Sequence, residues 1–103
     1  MGQPKSIPQN FVYWITITPR PEAARLTPVQ ARIVRLVALG CTDHQIAAVV
    51  CRSVRSVRRH EARAMKKARV TDRAALARWA LDQGLSHPND RLSPTERRAI
   101  LES

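Results

Sequence analysis

The chain is short of the residues from which most active sites and many folds are built. Its 103 residues include one Phe, one Tyr, two Trp, three Gly and two Cys, and only 8 acids stand against 18 Lys and Arg. So little glycine leaves no Gly-rich phosphate loop. The scattered acids form no carboxylate cluster along the chain, and no nucleophile is paired with a base, so no catalytic residues are expected and the chain reads as a non-enzyme. Cys41 and Cys51 cannot make a disulfide framework. With His44 and His60 they match no familiar zinc spacing, so neither a metal nor a cofactor is expected. No apolar run approaches the roughly 18 residues of a membrane-spanning helix, and the start of the chain lacks a signal-peptide pattern. The expectation is therefore no membrane partner and a cytoplasmic protein.

What the chain does have is concentrated positive charge. Between Arg52 and Arg69 lie eight cations (Arg52, Arg55, Arg58, Arg59, Arg63, Lys66, Lys67 and Arg69) and one acid, Glu61. That segment supplies most of the formal net charge of +10. A solvated helix face usually mixes signs, so a run this one-sided points to a phosphate-rich partner. The segment carries no aromatic side chain for stacking on unpaired bases, which favours double-stranded DNA over RNA.

The punctuation around this segment predicts helices. Thr27 as N-cap, Pro28 at the first helical position and Gln30 two residues on form a capping box, and Gly40 provides a left-handed stop. This gives a helix over 28–39 with Ile33, Val34, Val37 and Ala38 on one face. Thr42 caps a second helix that stops near Cys51, and Ser53 caps the basic helix. A break of about three residues between the two is the spacing of a helix-turn-helix. A further helix over 72–83 carries Ala75, Leu76, Trp79 and Ala80 and closes at Gly84. Ser93, Pro94 and Glu96 start a short tail helix that ends near Leu101. Upstream, residues 11–18 are almost all β-branched or aromatic and end at Pro19, so they predict a strand. Either this strand pairs with its own copy across a dimer axis, or it packs as an extended arm on the helices.

On the basic helix, Val57, Ala64, Ala68 and Met65 are expected to turn inward, with Arg55, Arg58, Arg59, Ala62, Arg63 and Lys66 fanned outward. Arginines in the first half could grip guanine edges in a bidentate way. Lys66, Lys67 and Arg69 would hold phosphate.

These residues resemble a known family. Leu26-Thr27-Pro28 with Gln30, the turn Gly40-Cys41-Thr42-Asp43 followed by Gln45-Ile46-Ala47, and then Ser53, Ser56-Val57-Arg58, His60, Lys67, Val70 and Arg73 are similar to the DNA-binding domain of LuxR/NarL/FixJ regulators. The resemblance covers about 26–85. It implies that Arg58, Arg59, Ala62 and Arg63 face bases or the adjacent backbone and that the helix over 72–83 dimerises; with Thr42, Ser53, Arg55, Lys66 and Lys67 these four make up the expected DNA-binding set. Glu61, Ala64 and Ala68-Arg69 depart from that pattern and give a secondary resemblance to region four of sigma factors, which would add RNA polymerase as a partner. Regulators of this family generally carry a sensing domain, and about 25 residues before Leu26 are too few for one. The reading is thus an all-α, tetra-helical helix-turn-helix domain over 26–85, with an N-terminal extended β-arm over 1–25 and a tail with a short helix over 86–103. Its expected function is sequence-specific DNA binding and transcription regulation as a homodimer, through Leu76, Trp79 and Ala80 with Tyr13 and Ile15 of the arm. The alternative is a module that acts mainly on RNA polymerase or another regulator.

Overall fold

The computed structural model describes residues 23–103, and all regular structure among them is helical. The expected strand over 11–18, with Tyr13 and Ile15, lies outside the described residues. The expected linker ends in order, because Ala23–Arg25 forms a 3-10 turn with Ala23 buried. Five α-helices follow: α1 (Pro28–Ala38), α2 (Asp43–Val50), α3 (Val54–Ala68), α4 (Arg73–Asp82) and α5 (Pro94–Leu101).

Each helix starts where its cap stands. The hydroxyls of Thr27, Thr42 and Ser93 accept from the backbone N–H of Gln30, Gln45 and Glu96, and each of those side chains accepts in return from the cap's own N–H. Ser53 and Asp72 cap α3 and α4 by the first of these bonds alone. The turn after α1 needs Gly40, whose φ of +86° is open to glycine at little cost. Cys51 takes the same left-handed role after α2, with φ 57°. Three residues, Cys51 to Ser53, therefore separate α2 from α3.

The core forms because α1 is buried along one face by Ile33, Val34, Leu36 and Val37. Helix α1 packs against α2, α3 and α4, and α2 and α4 also pack on α3. Ile33, Leu36, Ile46, Val57 and Leu76 meet there with almost no exposure, each worth about 1.5–3 kcal/mol of burial. This corrects the dimer assignment of Leu76 and Ala80. Both are fully buried within one chain in the core shared with α1, and neither has surface left for a second copy. Trp79 is only half-buried and lines a cleft of about 270 Å³ with Arg25, Lys67, Ala68 and Arg69.

The tail is fastened by one arginine. Arg35, near the end of α1, donates from Nε and Nη2 to Asp90 (3.0 and 3.2 Å), from Nη1 to Glu96 Oε2 (2.8 Å) and from Nη2 to the Arg91 carbonyl (2.9 Å). Ser86 Oγ adds a bond to Asp90 (2.7 Å), and α5 then lies against α2. Removing one partner of such a half-buried ion network leaves two carboxylates without their cation. Arg35→Ala is therefore expected to destabilise the domain by about 2 kcal/mol in urea unfolding, and to make residues after Gln83 the first site of limited proteolysis.

Candidate nucleic-acid interface

Helix α3 touches the rest of the chain along a narrow seam. Its buried positions are Val57, Glu61 and Ala64, spaced four and three residues apart, so they fall on one side of the helix. At 100° per residue, Arg55, Arg58, Arg59, Ala62, Arg63 and Lys66 all fall within an arc of about 140° on the other side. All six are exposed, as are Arg52, Ser53 and Arg69. Met65 and Ala68, expected to turn inward, are half-buried at the rim.

The hydroxyls of Thr42 and Ser53 are spent as acceptors on Gln45 N (3.2 Å) and Ser56 N (3.0 Å). Each keeps an O–H that can donate outward from an exposed position. The two caps thus place hydroxyls at the starts of both helices of the motif, where the positive ends of the helix dipoles favour an anion.

Not every cation expected in the interface is free. Lys67 Nζ donates to the Arg25 carbonyl (3.0 Å) and to Gln30 Oε1 (2.8 Å), so it staples the end of α3 to the start of α1. Two of the three donors of its ammonium group are thus engaged within the fold. Arg58 Nε donates to Asp43 Oδ2 (3.2 Å), yet its side chain is still 66% exposed. His60 is half-buried, and its Nδ1 has no hydrogen-bond partner among the described residues. Burial, and then the charges of Arg52, Arg63 and Arg59, push its imidazole below the usual histidine range.

Glu61, which the helical spacing was not used to place on either face, is 5% exposed and points into the seam. Arg73 of α4 reaches it there: Nη1 donates to Glu61 Oε2 (3.0 Å) and to Asp43 Oδ1 (2.7 Å), and Nη2 donates to the Cys41 carbonyl. Burial, reinforced by the Asp43 carboxyl beside it, raises Glu61 to about 7, while Arg73 pulls in the opposite direction. Asp43 falls to about 2, chiefly because Glu61 hydrogen-bonds to it, with Arg73 and Arg58 adding to the effect.

Residues 24–80 match the model of the bacterial regulatory proteins of the luxR family, GerE, over more than half of the chain. The chain belongs to the luxR family. It therefore carries the DNA-binding helix-turn-helix of a transcription regulator, with α2 and α3 as the motif and double-stranded DNA as the partner. No curated protein and no solved structure matches the chain. The family match ends within α4, so the Arg35 clasp to Asp90 and Glu96 reaches into a segment beyond it. Among the described residues, no helix is long and apolar enough to cross a membrane.

The sequence marks Glu61 as unusual for this family but was read without placing it on either face of the helix. The signal that would have placed it was its spacing of four from Val57 and three from Ala64. A buried carboxyl raised above its unfolded value favours the folded state while protonated. That advantage is held below about pH 4.5 and is lost as pH rises through about 7. Glu61→Gln mimics the protonated form, so it is expected to be more stable than the parent at pH 8 by on the order of 1 kcal/mol, and close to it at pH 5. Chemical denaturation at both pH values checks the sign.

Proposed function

We propose that the chain is a sequence-specific regulator that sets α3 in the major groove of duplex DNA. The observation that carries this reading is the outward arc of Arg55, Arg58, Arg59, Ala62, Arg63 and Lys66, opposite a seam that ties α3 to the fold by Val57, Glu61 and Ala64. Arginines in the first half of the helix would read guanine O6 and N7. Arg63 and Lys66, with the Thr42 and Ser53 hydroxyls, would hold the adjoining phosphates. The small side chain of Ala62 would let the helix approach the base edges closely. Lys67 would serve the fold and not the DNA, given its two internal bonds.

A homodimer fits this reading, with two copies meeting half-sites about one turn apart, ~10 bp. The face of α4 left for it holds Ala74, Arg78 and Leu81, all exposed and spaced four and three residues apart, with Trp79 at one margin.

Arg59→Ala is expected to cost about 1–3 kcal/mol on a preferred duplex and much less on a random one, because a base contact carries specificity. Lys67→Ala is expected to lower the melting temperature while leaving the salt dependence of binding unchanged. Titrations on both duplexes across a salt series measure this. Equal losses for Arg59→Ala on the two duplexes would contradict base reading, and a shallower salt slope for Lys67→Ala would return that lysine to the phosphates.

A further inference from the structure

Two carboxyls lie together under the recognition helix, and one arginine nitrogen bonds to both. Arg73 Nη1 is 2.7 Å from Asp43 Oδ1 and 3.0 Å from Glu61 Oε2. The other oxygen of Asp43 takes Nε of Arg58, a residue of the outward arc. Asp43 thus stands between a buried acid and an exposed arginine of the interface. We propose that Asp43 and Glu61 share one proton whose presence sets how firmly Arg58 is held, so that DNA binding draws in that proton and weakens as the pair loses it. This deepens the DNA reading of α3 and rests on it.

Two carboxylates bonded to one guanidinium nitrogen resist carrying two negative charges at once, and Glu61 has almost no water to disperse its share. With the proton in place, Glu61 is neutral and donates to Asp43. The pair then carries one negative charge against Arg73 and Arg58, and Arg58 can turn to a phosphate or a base. When the proton leaves, the second charge tightens the hold on Arg58 and adds an anion beneath a surface meant for phosphates. Both effects oppose DNA. Bound phosphates, in turn, favour the protonated pair, so the coupling runs the same way from either side. The elevation of Glu61 to about 7 puts the exchange within the range of ordinary buffers.

The charged groups facing the pair are Arg73 from α4 and Arg58 from α3 itself, with the Cys41 carbonyl on the far side of Arg73. His44 follows Asp43 on α2 and is exposed, a second ionisable side chain beside the pair. His60 is adjacent to Glu61 in the chain, and its imidazole is influenced by Arg52, Arg63 and Arg59 instead. His44 is therefore replaced by Gln in every protein compared.

The test measures affinity for a preferred duplex at fixed salt between pH 6 and 8.5, for the parent, Glu61→Gln, Asp43→Asn and the double variant. Release of one proton can change affinity by at most about tenfold per pH unit. The parent is expected to lose about fivefold to tenfold over the range. Glu61→Gln should hold its pH 6 affinity throughout, Asp43→Asn should lose most of the slope, and the double variant should match Glu61→Gln alone. In the free protein, carbon-13 shifts of the Glu61 carboxyl should titrate near pH 7, and circular dichroism should show every variant folded. A pH slope in Glu61→Gln equal to that of the parent, or a Glu61 carboxyl titrating in the ordinary range, would overturn the proposal while leaving DNA binding intact. Failure of the parent to prefer any duplex at pH 6 would instead overturn the DNA reading on which it rests.

Discussion

The guanidinium of Arg73 is the joint of the structure. It sits at the start of α4 and bonds at once to the Cys41 carbonyl in the first turn, to Asp43 at the head of α2, and to Glu61 in the middle of α3. The break between α2 and α3 is only three residues, and it constrains their separation more than their angle. The apolar contact of Val57 and Ala64 holds α3 down, but small aliphatic surfaces permit sliding and rolling. A planar guanidinium with directional bonds to three elements resists both. The direction of the outward arc on α3 therefore depends on a residue twelve positions away from the buried acid it holds.

A second constraint follows from charge. A helix with six cations, flanked by Arg52 and Arg69, repels itself, and a fold that carries it must divide its positive residues between two uses. Some are spent inside: Arg35 fastens the tail, Arg73 joins the helices, and Lys67 ties the end of α3 to the start of α1. Arg55, Arg59, Arg63 and Lys66 are left exposed, and the ion pairs found among the described residues do not include them. Arg58 stands between the two groups, bonded to Asp43 and still largely exposed. The internal cations stabilise the frame on which the external ones are displayed.

Much of this fold was legible in the sequence because its helices begin with hydroxyl or carboxylate caps that act over three residues. Thr27, Thr42, Ser53 and Ser93 each hold the N–H that their position predicts, and Asp72, expected as the first residue of its helix, caps it, so the helix boundaries fall within a residue or two of expectation. The outward arc was equally plain, since charge and helical spacing are both local. Contacts between distant residues were not. Charge alone could not separate Lys67, which bonds 37 and 42 residues back, from Lys66, which is exposed. Glu61 was left without a direction, because the partner that brings it in, Arg73, stands on another helix. Leu76 and Ala80 were offered to a second copy when α1 of the same chain already covered them, since an apolar stripe does not declare its neighbour.

The claim on which the rest turns is that the exposed arc of α3 reads base sequence and does not merely collect phosphate. Selection of bound fragments from randomised duplex DNA, run in parallel for the parent and for Arg59→Ala, tests it most directly. The account predicts a short enriched motif for the parent, repeated with half-sites about one helical turn apart, and a loss of preference at one position of each half-site for the variant. Recovery of random sequence by the parent, or the same motif at the same strength from both proteins, would contradict it.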